Sequence, residues 1–148
     1  MTRRIGRWVL ALALAYLAAG ILHLAMPEAF LRIVPGWVPY PHAVILATGA
    51  CEILGAIGLM TRRLRRAAGI GLALYAVCVF PANIKHAVDD LSGLHAGLGW
   101  WYHGPRLALQ PVLVWWALQA GGIFQGRSES ARRRVRSPVK GQADGAWP

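Results

Sequence analysis

The sequence predicts an all-α polytopic membrane protein, a bundle of four transmembrane helices. Hydrophobic residues make up 56% of the 148 residues and charged residues 15%, whereas soluble domains average about 45–50% apolar and about 25% charged residues. The 16 Lys and Arg outnumber the 6 Asp and Glu, and they occur in short clusters between long apolar runs. A nucleic-acid-binding protein would spread its basic residues over a charge-rich surface. The composition therefore argues against a soluble protein and against nucleic acid as a partner.

Four apolar segments are long enough to cross a bilayer, which requires about 20 residues of helix. None of them alternates between apolar and polar residues as a barrel strand does, so we predict helices. The predicted spans cover residues 5–26, 41–60, 67–87 and 105–124. They form one domain, residues 1–125, surrounded by the lipid bilayer. The polar, Arg-rich residues 126–148 are predicted to form a disordered cytoplasmic tail.

The orientation of the spans is predicted from the positions of Lys and Arg in the short loops. Basic residues cluster before the first span, between the second and third spans, and after the fourth, which is one side of a four-span arrangement. Only Arg32, Lys85 and Arg106 lie on the other side. We therefore predict that both termini are cytoplasmic. The basic start and the small residues near Gly20 also fit a cleaved signal peptide, but the apolar run continues to Met26 and favours an uncleaved span.

Glu52 is the main candidate functional residue, because ionisable groups are costly in the bilayer core. It lies near the middle of the second span, where a carboxylate would pair with a cation or stay protonated. Arg106 could reach down to pair with it, or extend outward to the membrane interface. Glu52 could link helices by hydrogen bonds, or it could handle a proton or a ligand.

Further polar residues collect in the outer half of the predicted bundle. Pro81 frees a carbonyl one turn earlier in the third span, which gives Asn83 a backbone group to bind. Arg106 and Gln110 are four residues apart and share one helix face. The sequence therefore predicts a polar ligand-binding pocket that opens to the outer face. Its predicted residues are His23, Glu52, Asn83, Arg106 and Gln110.

The histidines and cysteines show no spacing typical of a metal site. His23 and His86 end different spans at similar depth, as a transmembrane haem would require, but no further ligands cluster beside them in the sequence. We therefore predict no metal site. The two cysteines do not form a C-x-x-C pair. The sequence also contains no Ser/His/Asp set or phosphate-binding loop, so it does not decide whether the protein is an enzyme.

Five short motifs occur in order along residues 20–118. They are Gly20-Ile-Leu-His23-Leu-Ala-Met-Pro27, Val34-Pro-Gly-Trp37-Val-Pro39, Gly49-Ala-Cys-Glu52-Ile-Leu-Gly55-Ala-Ile-Gly58, Val79-Phe-Pro81-Ala-Asn83-Ile and Arg106-Leu-Ala-Leu-Gln110-Pro-Val-Leu-Val-Trp115-Trp116. With this ordered set the chain resembles the DoxX-like family of small four-span bacterial membrane proteins. The resemblance implies a four-helix bundle in the bacterial cytoplasmic (inner) membrane. The family's Glu, Asn, Arg and Gln correspond to Glu52, Asn83, Arg106 and Gln110.

The same resemblance implies a function in a membrane redox system. Some relatives are similar to subunits of a thiosulfate:quinone oxidoreductase, so we expect an accessory or quinone-linked subunit whose pocket binds a quinone headgroup or a partner. A quinone is the candidate cofactor, and the expected partners are membrane redox subunits or a second copy of the chain. Two alternatives stay open: a small-solute or proton-coupled carrier that uses Glu52, and a non-catalytic membrane scaffold.

Overall fold

The computed structural model describes residues 6–93 and 99–124, which form five helices. The helices are α1 (Arg7–Ala25), α2 (Pro27–Leu31), α3 (Pro41–Met60), α4 (Arg65–Leu91) and α5 (Trp100–Ala120). The described residues contain no β-strand, so the predicted all-α class is confirmed. The predicted disordered tail, residues 126–148, lies outside the described residues.

Proline and glycine mark several helix boundaries. Pro27 and Pro41 begin α2 and α3, where the missing N–H is not needed for an intrahelical bond and the fixed φ suits a helix. Gly99 precedes α5 with a φ of 67°, a left-handed conformation that glycine adopts without steric cost. α4 continues through Pro81, and α5 continues through Pro105. α4 extends beyond the predicted span 67–87 at both ends, whereas α5 begins and ends earlier than the predicted span 105–124.

The four long helices pack in the order α1, α3, α4, α5, and the start of α1 also contacts α5. Small residues bring neighbouring helices close together, a mode of packing that is common among membrane helices. A Cβ atom added to Gly20 of α1 would lie 2.7 Å from the Gly49 carbonyl oxygen of α3. A Cβ atom added to Gly69 of α4 would lie 2.6 Å from the Cα of Gly121, just after α5.

One end of the structure carries most of the described basic residues. Trp8 at the start of α1 contacts Trp116 near the end of α5, with 6.3 Å between the ring centroids. Together with the approach of Gly69 to Gly121, this contact places Arg7 and the basic residues 62–66 at the same end. We call it the basic end. It follows that α1 and α4 run from the basic end to the opposite end, and that α3 and α5 return.

The apolar core occupies the half of the structure nearest the basic end. It is formed by small and aliphatic side chains with Tyr16 at its border. The buried members are Leu12, Ala13, Tyr16, Ala56, Leu59, Leu72, Ala73, Ala117 and Ala120. Many large apolar side chains point outward instead, among them Leu54 and Leu74, which are 67% and 61% exposed. An outward apolar surface of this extent is typical of a protein that lies in lipid.

Three helices, α1, α3 and α4, are long and apolar enough to cross a membrane. α5 has a suitable length, but its sequence includes Arg106 and Gln110 together with two internal prolines, which lower its average hydropathy. The structure therefore supports a helical protein that could span a membrane. The predicted fourth span is not confirmed.

Candidate ligand-binding cavity

A cavity of about 440 Å³ lies in the half of the structure opposite the basic end. Small-molecule sites in proteins typically measure about 300–1,000 Å³. Its wall includes residues from all five helices and from the segment between α2 and α3. The five predicted pocket residues all line it, namely His23, Glu52, Asn83, Arg106 and Gln110. Most of the other lining side chains are apolar.

The Glu52 carboxylate lies in the cavity wall and is 4% exposed. Tyr75 of α4 donates its hydroxyl to Glu52 Oε1 at 2.9 Å. The other oxygen, Oε2, lies 2.9 Å from His23 Nδ1. That nitrogen is also 2.9 Å from the Ala19 carbonyl oxygen, with which it makes an aligned hydrogen bond. Glu52 Oε2 therefore has a close polar contact with the imidazole but no aligned hydrogen bond among the described residues.

The close packing of α1 on α3 brings His23 to Glu52. A Cβ atom on Gly49 would lie 2.9 Å from the Cβ of His23, so the glycine leaves room for the imidazole beside α3. Phe30 of α2 stacks on the His23 ring, with the ring centroids 4.0 Å apart. The imidazole is thus held between α2 on one side and the Glu52 carboxylate on the other.

A second polar group joins α4 and α5 through a chain of hydrogen bonds. Gln110 Nε2 donates to the Ala76 carbonyl at 2.6 Å, and Asn83 Nδ2 donates to Gln110 Oε1 at 3.2 Å. Arg106 donates to Asn83 Oδ1 and to His86 Nδ1, both at 2.7 Å. Because a guanidinium can only donate, Asn83 must turn its oxygen to Arg106 and its amide nitrogen to Gln110. The orientations of both amides therefore follow from the arginine.

Two contacts differ from those predicted from the sequence. We predicted that Asn83 would bind a backbone carbonyl of α4 near Pro81. In the structure it is Gln110 that binds an α4 carbonyl, that of Ala76. Arg106 was expected to pair with Glu52 or to extend outward. Within the described residues it binds Asn83 and His86 instead, because the α4–α5 contact places these acceptors nearer than α3.

Two tyrosines of the cavity wall were missed. Tyr75 binds Glu52 directly, and Tyr16 packs edge-on against Tyr75 with 6.4 Å between the ring centroids. The Tyr16 hydroxyl is buried and has no partner among the described residues. The sequence could have pointed to them, because Tyr16 and Tyr75 are the only tyrosines inside the four predicted spans. A phenol hydroxyl in such a segment needs a hydrogen-bond partner.

The family model for the Domain of unknown function (DUF8561) matches residues 12–121. The chain belongs to the DUF8561 family. The resemblance to the DoxX-like family is therefore wrong. Its motifs are built largely from glycine, proline and aliphatic residues, which close helix packing and helix breaks favour in many apolar helical proteins, so they do not identify one family. No curated protein and no solved structure shows significant similarity to this DUF8561 chain.

Proposed function

We propose that this DUF8561 protein is a multi-pass membrane protein whose cavity binds a small amphipathic molecule of the quinone type. The observation that carries the proposal is the cavity itself, in which polar side chains from four helices meet inside otherwise apolar walls. Pockets of this composition bind ligands that have an apolar body and a few hydrogen-bonding groups.

In the proposed topology α5 is the fourth span and both termini are cytoplasmic. α5 packs along α4 over its length, so it would cross the bilayer with α4. Its polar side chains Gln110 and Arg106 bind α4 instead of facing lipid, which removes most of the cost of carrying them into a membrane. The basic end would face the cytoplasm by the positive-inside rule.

A quinone matches the distribution of polar groups in the cavity wall. One polar region is formed by Glu52 with Tyr16 and Tyr75, and the other is the chain that links Gln110 to Arg106. Within the part of the chain that the structure describes, the Tyr16 hydroxyl of the first region has no hydrogen-bond partner, and Glu52 Oε2 makes no aligned hydrogen bond besides its close contact with His23. A quinone carbonyl accepts a hydrogen bond from such a hydroxyl, and a quinol hydroxyl donates one to such a carboxylate.

The proposed role is that of an accessory subunit that holds a quinone for a membrane redox enzyme. Such a partner would exchange electrons with the bound molecule, while this chain would supply binding and orientation. The pairing of the partly buried His23 with the buried Glu52 also favours a second candidate, a proton-coupled carrier. In a carrier the carboxylate would take up and release a proton as the solute crosses.

A binding titration on the full chain in nanodiscs tests the proposal. The probe is a benzoquinone with a decyl side chain, and decylbenzene serves as the matched probe without carbonyl oxygens. We expect saturable binding of the quinone only. The binding should be weakened about tenfold by Tyr16→Phe, which removes the unpartnered hydroxyl of the cavity wall, and unchanged by Tyr40→Phe, which alters an exposed tyrosine. Equal binding of both probes, or equal effects of the two substitutions, would contradict the proposal.

The carrier is distinguished by transport. Proteoliposomes that show solute-driven proton uptake, lost in Glu52→Gln and retained in the exposed control Glu28→Gln, would favour the carrier over the accessory subunit. No such uptake, together with saturable quinone binding, would favour the accessory subunit.

A further inference from the structure

Three potential metal ligands meet at the end of α4 and the start of α5, outside the cavity wall. His86, Asp90 and His103 each offer one ligand atom, and these atoms lie within 4.8 Å of one another. His86 and Asp90 are one helical turn apart on α4 and therefore share a face. His103 lies in the first turn of α5, which packs against that face. The sequence separates these residues, which is why their spacing predicted no metal site.

We propose that His86, Asp90 and His103 bind a divalent transition-metal cation of the Zn²⁺ class. Two imidazoles and one carboxylate form a ligand set suited to Zn²⁺ and to Fe²⁺ or Co²⁺, and unlike the all-oxygen sets that Mg²⁺ and Ca²⁺ prefer. Three protein ligands leave a fourth position for water or for a further donor, as in open zinc sites.

The geometry requires only small side-chain movements. Zinc bonds of about 2.0–2.2 Å in a tetrahedral arrangement place the ligand atoms about 3.3–3.5 Å apart. Asp90 Oδ2 and His103 Nε2 are 2.7 Å apart, so they would separate slightly to admit a cation between them. The widest separation in the cluster, at most 4.8 Å, would close by about 1 Å or somewhat more, which a side-chain rotation of His86 supplies.

The surroundings of His103 favour a fixed ligand. The side chain is completely buried, and its Nδ1 has no hydrogen-bond partner among the described residues. The rings of His86 and Tyr102 pack edge-on against it, with centroid distances of 4.8 and 5.0 Å. A cation that binds here meets an imidazole whose orientation is already set by packing, so little side-chain entropy is lost on binding.

Arg106 competes with the proposed cation for His86. Its guanidinium donates to His86 Nδ1 at 2.7 Å, so in neutral His86 the ring proton must lie on Nε2. A metal bound at Nδ1 would displace the arginine. A metal bound at Nε2 would move the proton to Nδ1, where it would face the guanidinium. Either way the Arg106–His86 hydrogen bond is lost, and the positive charge of Arg106 opposes the cation.

Metal titration of the full chain in nanodiscs tests the proposal. Calorimetry with Zn²⁺ and the visible absorption of Co²⁺ are measured for the wild type, His86→Gln, Asp90→Asn and the control His42→Gln. We expect one cation per chain. Both cluster substitutions should weaken binding at least about tenfold, since even the loss of a residue that only supports a ligand costs about 10–100-fold. His42, a half-exposed histidine beside Glu28, should be replaceable without effect.

A fourth variant tests the competition. Arg106→Met removes the charge and the donor, so it should raise the affinity for Zn²⁺, whereas a substitution that merely disrupted the α4–α5 contact would lower it. The proposal is overturned if the wild type binds no cation stoichiometrically, if binding persists in both His86→Gln and Asp90→Asn, or if Arg106→Met weakens binding. The outcome does not depend on whether the cavity binds a quinone.

Discussion

Replacing Gly69 with alanine should destabilise the packing of α4 on α5, whereas the same change at Gly71 should not. A Cβ atom at Gly69 would lie 2.6 Å from Gly121 Cα and 2.7 Å from the Ala117 carbonyl oxygen. Both neighbours are backbone atoms, so they cannot rotate away as a side chain could. At Gly71, two residues along the same helix, a Cβ atom would meet nothing within 4 Å.

The magnitude follows from the displacement that the new methyl group requires. Carbon atoms in contact rest about 3.5–4.0 Å apart, so a separation of 2.6 Å forces α4 and α5 apart by about 1 Å. Overpacking of this size costs about 1–3 kcal/mol. Alanine stabilises a helix by about 0.8–1.0 kcal/mol relative to glycine. Gly69→Ala and Gly71→Ala both gain this stabilisation. The difference between Gly69→Ala and Gly71→Ala therefore isolates the clash.

The assay is reversible unfolding of the purified full chain in mixed micelles with increasing SDS, followed by circular dichroism. We expect Gly71→Ala to be as stable as the wild type or more stable, and Gly69→Ala to unfold with a free energy about 1–3 kcal/mol below that of Gly71→Ala. Equal free energies of unfolding for the two variants would refute the close approach of α4 to α5.

The same unfolding assay checks two hydrogen bonds of the cavity wall. Tyr75→Phe removes the donor to Glu52 and should cost about 1–2 kcal/mol, whereas Tyr40→Phe, at a residue 82% exposed, should change stability by less than about 0.5 kcal/mol. Similar losses of unfolding free energy in Tyr75→Phe and Tyr40→Phe would show that the Tyr75–Glu52 hydrogen bond does not stabilise the fold. Gln110→Leu removes the side-chain donor to the α4 backbone and should also cost about 1–2 kcal/mol. The exposed control Gln119→Leu should be neutral, and a neutral Gln110→Leu would count against the hydrogen-bonded chain.

The long helices could be predicted from the sequence because their apolar runs and their proline and glycine boundaries are local features. The predicted spans 5–26 and 41–60 agree with α1 and α3 within two residues at each end. α5 begins at Trp100 instead of residue 105, and its first turn packs against α4, where the rings of Tyr102 and His103 lie edge-on to His86. A sequence pattern does not contain that tertiary support.

Five polar residues of the cavity wall could be named from the sequence, but neither the two tyrosines beside them nor the contacts among them could be. His23, Glu52 and Arg106 were selected because polar side chains are rare in apolar segments, and the structure brings them to one cavity. Which of them touch depends on the rotation of each helix and on close approaches such as that of α1 to α3. The pairing of Asp90 with His103 was missed for the same reason, since the two residues lie on different helices.

Photolabelling tests the central claim, that a quinone-type headgroup occupies the cavity, most directly. An azido derivative of the decyl benzoquinone is irradiated with the full chain in nanodiscs, and the labelled residues are mapped by mass spectrometry with and without excess unlabelled quinone. The account predicts labels on cavity residues such as Ile33, Ile45 and Val79, all suppressed by the competitor. Labels confined to outward residues such as Leu54 and Leu74, and unchanged by the competitor, would contradict it.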